Sequence, residues 1–172
     1  MSKNEPQVSG YCDSKFELVK EIFIQNFTQR NELGACVCVY KDGEKVVDLW
    51  GGHKDLNKTS LWDENTIVLM NSVAKSICSI STHILSDRGF IDLDAPVCNY
   101  WEEFGQAGKE NITVAHVLGH ECGAIFSDSA KPSDWYSYER QSAAIAAQAP
   151  AFEAGTNGGY NTVNIGFILG EV

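Results

Sequence analysis

Positive charge is scarce in this chain: its 172 residues hold 13 Lys and Arg against 23 Asp and Glu, a formal net charge of -10. Nucleic acids and anionic membrane surfaces are bound by clustered cations that neutralise phosphates, so neither is an expected partner, and a small or neutral substrate fits better. Long apolar runs are missing as well. None approaches the roughly 18 residues needed to cross a bilayer, and the first residues, MSKNEPQVSGYCDSK, contain no apolar h-region. A cytoplasmic location with no membrane partner is the expectation. Paired cysteines are absent too: Cys12, Cys36, Cys38, Cys78, Cys98 and Cys122 form no C-x-x-C. Three of them sit in apolar stretches where free thiols pack as small hydrophobes, so the set is expected to be reduced and structural rather than a disulfide scaffold.

Several chemical signatures are also lacking. There is no Gly-x-Ser-x-Gly, hence no candidate for the nucleophile elbow of α/β-hydrolases, and neither a phosphate-binding Gly loop nor a dinucleotide fingerprint. His116 and His120 have the spacing of helical metal ligands, but the intervening Val-Leu-Gly lacks the Glu of a zinc-protease motif. No metal and no cofactor are expected; His116 reads as a packed helix residue and His120 as a helix-end or turn residue. Lys58-Thr59-Ser60 reads as a solvated loop.

What is present is the composition of a folding chain: 44% hydrophobic, 21% charged, with four Trp and eight Phe. A chain of this length buries about 70% of its unfolded surface. Asp13 or Ser14 can cap a helix in which Phe16, Val19, Phe23 and Phe27 recur at helical spacing, ending near Gly34. ACVCVYKDGEKVVDLWGG is two Val-rich runs around Asp42-Gly43, which predicts antiparallel strands at about 35–41 and 44–50. NSVAKSICSISTHILSDRG predicts a helix from about Ser72 to Arg88, apolar on most sides and therefore buried, with Gly89 as its stop. Then come a short helix over Ile112–Leu118 started by Thr113, a Ser- and Asp-rich loop at 127–137, an Ala-rich helix at about 139–149, the loop EAGTNGG, and an apolar helical run beginning near Asn161. No internal repeat is visible.

Ser72-Val73-Ala74-Lys75 is a Ser-x-x-Lys at the start of the apolar helix. Residues three apart share a helix face, so the Lys75 amine can reach the Ser72 hydroxyl. A helix start also offers free N–H groups and a positive dipole end to a carbonyl adduct that becomes negative. An apolar surrounding would favour neutral Lys75, the form that acts as a base. An N-cap serine beside a snorkelling lysine explains the same four residues. Tyr160, after EAGTNGG and before an apolar helix, could carry a proton in a cleft or could simply pack.

The order of segments resembles the serine β-lactamase-like superfamily, in particular the class C-related carboxylesterases of family VIII type. The pieces that carry the resemblance are GACVCVYKDGEKVVDLWGG, NSVAKS, LSDRGFIDLDAPVCNYWEEFGQAGKENITVAHVLGHECGA and PAFEAGTNGGYNTVNIGFILGEV, in family order over about residues 10–172. The resemblance implies an α+β fold of the β-lactamase/transpeptidase type: an N-terminal helix, a β-hairpin of an antiparallel sheet, and a mainly helical region. It implies Ser72 as acylated nucleophile, Lys75 as its activating partner, Tyr160 as the Tyr of a Tyr-x-Asn element, and Thr162 and Asn164 as substrate-binding residues. Thr162 stands where the β-lactamases have Asn, a departure that leans towards ester hydrolysis.

The expected function is therefore a serine hydrolase working through an acyl-enzyme on a small ester or amide, most simply a carboxylesterase, with Ser72 N–H supplying part of the oxyanion hole. A β-lactamase or D-amino-acid peptidase is the alternative within the same chemistry, and a non-catalytic ligand-binding or assembling protein the alternative outside it. The chain stops inside the apolar run FILGEV, and the family's Lys-Thr-Gly or His-x-Gly strand motif does not follow Tyr160. Residues 1–172 are accordingly expected to be one partial domain, with a flexible start over about 1–12, a hairpin with an unpaired or solvent-exposed edge because C-terminal strands are missing, and poor turnover alone.

Overall fold

The computed structural model describes residues 7–172, which divide into two compact units, one ending at Leu69 and the other beginning at Met70. The first unit is a small antiparallel sheet with one helix. Strands β2 (Gly34–Lys41) and β3 (Glu44–Gly52) form the expected hairpin. Its turn residues Asp42 and Gly43 both have positive φ, 52° and 82°. That is the left-handed pair a two-residue turn requires if its twist is to match the strands.

A third strand that the sequence did not suggest, β1 (Val8–Cys12), pairs antiparallel with β3 and gives the order β1-β3-β2. Residues 8–12 are therefore strand rather than a flexible start, whereas residues 1–6 lie outside those described. A glycine at position 10 makes this pairing possible, because a Cβ there would stand 2.0 Å from the Asp48 carbonyl oxygen. A two-stranded hairpin is marginal in water; a third strand and a covering helix change that. The helix is α1 (Glu17–Gln29), preceded by a 3-10 turn in which the Asp13 carboxylate accepts from Lys15 N–H. Phe23 packs with Val47 and Leu49, flanked by Val37, Val39 and Phe27.

Alternation along β2 then turns Cys36 and Cys38 to the other face, where both are exposed. The expectation that cysteines in apolar stretches are packed fails at these two positions. All six cysteines are free thiols, and Cys122 is the buried one. Strand β2 has no partner on its outer side among the described residues.

The second unit is helical: α2 (Ala74–Asp87), α3 (Val114–Leu118), α4 (Tyr138–Ala147) and α5 (Asn164–Glu171), joined by 3-10 turns and loops. Val97, Phe104, Ile112, Val114, Val117, Ile145 and Ile168 form its core. Burial of α2 on most sides does not hold. Only Thr82 of that helix is buried, and Ile77 and Ile80 of its apolar stripe are 55% and 56% exposed. The architecture is α+β, a small antiparallel sheet with a mainly helical unit, as expected. None of the described helices is long and apolar enough to cross a membrane.

Candidate active site

Ser72 lies in a 3-10 turn (Asn71–Val73) that runs directly into α2. Neither the turn nor α2 has a side-chain cap hydrogen bond, so Ser72 is not an N-cap. The residue before it, Asn71, has φ 47°, a left-handed conformation that asparagine tolerates better than most residues but that still costs about 1–2 kcal/mol. Within the turn, Val73 N–H donates to Met70 O and Ala74 N–H to Asn71 O. Ser72 N–H has no acceptor among the described residues and remains available to a ligand oxygen.

One turn further on, Lys75 Nζ is 3.1 Å from Ser72 Oγ and 2.6 Å from the carbonyl oxygen of Thr162. The second contact joins residues 87 positions apart in sequence. A lysine snorkelling to solvent would make neither. No carboxylate of the described residues lies within ion-pair distance of Lys75, so its amine is held by neutral oxygens alone. Thr162 thus enters the site through its backbone.

Tyr160 stands over the same point. Its ring centroid is 5.1 Å from Lys75 Nζ, and the side chain is 56% exposed. Hydrogen bonding to Ser72 first, and then to Lys75, holds the phenol below its ordinary pKa against the opposing effect of burial. The segment that presents it is anchored on both sides. Gly159 N–H donates to His120 O at 2.8 Å, and Asn161, fully buried, accepts from Ile165 N–H at 2.9 Å and so caps the start of α5.

Asn164 is placed differently. It is 2% exposed, its Oδ1 accepts from Gln141 Nε2 at 3.0 Å, and its Nδ2 donates to Ala124 O at 3.1 Å. Both ends of the amide are used to join α4, α5 and the 124–127 segment. The structure therefore gathers Ser72, Lys75, Tyr160 and the Thr162 carbonyl, and leaves the Asn164 side chain in the packing beneath them.

The two histidines part company. His116 Nδ1 accepts from Thr113 N–H at 3.2 Å while Thr113 Oγ1 accepts from His116 N–H at 3.1 Å, a reciprocal cap at the start of α3. His120, just past the end of α3, faces the Tyr160 segment, its ring centroid 4.8 Å from that of Tyr160. Ser72, Lys75 and Tyr160 were expected together and lie together; the contact of Lys75 with the Thr162 carbonyl and the place of His120 against Tyr160 were not expected. A backbone acceptor carries no sequence signal, and a turn histidine carries little.

Known proteins resemble this chain over most of its length. The family model described as Beta-lactamase matches residues 20–172. Esterase/beta-lactamase LipL of Mycobacterium tuberculosis (strain ATCC 25618 / H37Rv) is 31% identical over 163 residues, which are 95% of this chain and 38% of that protein. Among solved structures, a family VIII carboxylesterase is similar with TM-score 0.90 and 37% identity, over 96% of this chain and 45% of its own. A penicillin-binding protein homolog from Caulobacter crescentus gives TM-score 0.90 and 36% identity over the same shares. The chain spans less than half the length of these relatives. Because that family model matches residues 20–172, most of the chain, this chain belongs to the beta-lactamase family.

Proposed function

We propose that this chain carries the acylating centre of a serine hydrolase acting on small carboxylic esters. The observation that carries the reading is the Lys75 amine bridging Ser72 Oγ and Thr162 O, with the Tyr160 phenol beside them. As an ammonium, Lys75 donates to both oxygens. After losing one proton it can still donate to Thr162 O while its lone pair accepts from the Ser72 hydroxyl across the same 3.1 Å. Ser72 Oγ then attacks the acyl carbon, its proton passing to Lys75, and the oxyanion forms next to the free Ser72 N–H. Collapse of the adduct breaks the bond to the alcohol, whose oxygen takes a proton through Tyr160 from Lys75. Water repeats the sequence in place of serine and releases the acid; ester and water have become acid and alcohol.

Thr162, where β-lactamases have Asn, and the esterase names of the relatives favour esters. The LipL name also includes beta-lactamase, so β-lactams are the second reading. Fluorophosphonate labelling of the chain, located by peptide mass spectrometry, tests the mechanism: adduct at Ser72 supports it, and an unmodified Ser72 leaves a non-catalytic relative. Single-turnover assays with p-nitrophenyl acetate, a β-lactam and a D-Ala-D-Ala peptide then rank the substrates.

A further inference from the structure

His120 plays no part in the reaction as written above, yet it touches the Tyr160 segment three times. Its carbonyl accepts from Gly159 N–H at 2.8 Å, its Nδ1 accepts from Asn161 N–H at 3.0 Å, and its ring lies 4.8 Å from the Tyr160 ring at 40°. The residues on both sides of Tyr160 therefore hang from one histidine, and the tyrosine rests on its face. His120 has φ 60°. A non-glycine residue keeps a left-handed backbone only where surrounding contacts impose it. His120 also lines an open cleft of about 340 Å³ with Lys75, Ser76, Ser79, Ile80 and Leu118.

We propose that His120 is the positioning residue for Tyr160, a clamp that works only with a neutral imidazole and opens when that ring takes a proton. Its effect on acylation rests on the function proposed above; the clamp itself rests on geometry alone. Asn161 N–H is a donor, so Nδ1 must present a lone pair and the ring proton must sit on Nε2. A protonated ring would set N–H against N–H and place a second cation beside Lys75. From α2 the group facing the ring is Lys75 and from the clamped segment it is Tyr160, while α3 and α5 contribute apolar Leu118 and Ile165; Glu121 follows on the histidine's own segment. Burial, and then the Lys75 charge, keep the His120 pKa below its ordinary value. A depressed histidine pKa means that the folded chain binds fewer protons than the unfolded one. The clamp's contribution is thus complete above the ordinary value near 6.5 and is lost as pH falls below it through the folded value.

The test has a structural arm and a kinetic one. In the wild-type chain, imidazole ¹⁵N shifts should show the Nε2–H tautomer at about pH 7.5. As the ring titrates on acidification, Asn161 amide exchange, corrected for its intrinsic pH dependence, should rise about tenfold, the effect of one lost hydrogen bond. His120→Asn keeps an acceptor near the Nδ1 position and tolerates the left-handed backbone, so it should retain Asn161 protection and lose the pH dependence. His120→Phe keeps the ring face without the acceptor, and should lose both the protection and about tenfold in the rate of Ser72 acylation by an alkyl ester, whose leaving alcohol takes its proton through Tyr160. Asn161 protection unchanged through the histidine titration overturns the clamp, as does a folded His120→Phe with wild-type protection and rate. Should wild-type Ser72 resist acylation altogether, the proposed function fails while the exchange measurement still decides the clamp.

Discussion

Replacing Lys109 by methionine tests how the second unit is held together. Lys109 is wholly buried, and its ammonium donates to Gln106 O at 2.9 Å, Ala146 O at 2.8 Å and Gln148 O at 2.6 Å. Ala146 and Gln148 mark the C-terminal end of α4, where unpaired carbonyls and the negative end of the helix dipole collect. One side chain from another part of the chain therefore caps that helix, and Phe104, 5.2 Å away, supplies an aromatic face. Burial pushes the amine towards its neutral form, and the charge of the neighbouring Glu110 opposes it. Methionine keeps most of the volume and removes the desolvation cost of the charge, but leaves three carbonyls without this donor. At about 1–3 kcal/mol for each orphaned group, and with part of that offset by the apolar replacement, the net loss should be about 2–4 kcal/mol. For a chain of this size that corresponds to a fall of about 4–16 °C in Tm. Thermal and urea unfolding followed by circular dichroism measure it. A loss below about 0.5 kcal/mol would refute the reasoning, because the carbonyls would then be satisfied without Lys109.

Three substitutions at the site complete the set. Ser72→Ala should abolish fluorophosphonate labelling with little change in Tm, since the exposed hydroxyl caps no helix and meets Lys75 Nζ at an open surface; label retained elsewhere on the chain would remove Ser72 from the mechanism. Lys75→Ala should lower acylation about as much as Ser72→Ala, because nucleophile and base act as a unit, and a loss of less than about tenfold would contradict that role. Tyr160→Phe keeps the ring against His120, so stability should hold within about 0.5 kcal/mol. Its acylation by an alkyl ester should fall by about 10²–10⁴, and by a p-nitrophenyl ester far less, because p-nitrophenolate departs without a proton. Equal losses with both esters would show that the phenol does not serve the leaving group.

Local patterns in the sequence predicted the elements well wherever the chain's own periodicity decided the outcome. The Asp42-Gly43 hairpin, the Phe-lined α1 and the Thr113 cap of α3 all depend on neighbours within a few residues, and all three were legible. The strand at 8–12 was not, because its pairing with β3 depends on Gly10 meeting Asp48 across the sheet, a contact about forty residues away in sequence. The burial of α2 was misread for a related reason: an apolar stripe shows which face could be covered and says nothing of what covers it.

The site divides along the same line. Ser72 and Lys75 are three apart, so one helical turn suffices to predict their contact, and the structure adds only that the serine sits within the turn rather than capping it. Tyr160 could be placed by its Gly-rich approach but not oriented, because its orientation is set by a histidine forty positions earlier acting through a carbonyl and a ring nitrogen. The carbonyl of Thr162 would serve Lys75 equally well from almost any residue type. On the proposed function, its departure from Asn would change what a substrate meets at the side chain while leaving the lysine's hold on the carbonyl intact. A Thr162→Asn variant should accordingly leave Ser72 labelling unchanged and alter only the ranking of ester against β-lactam. A change in the labelling rate itself would show that the side chain, and not only the backbone, positions the lysine.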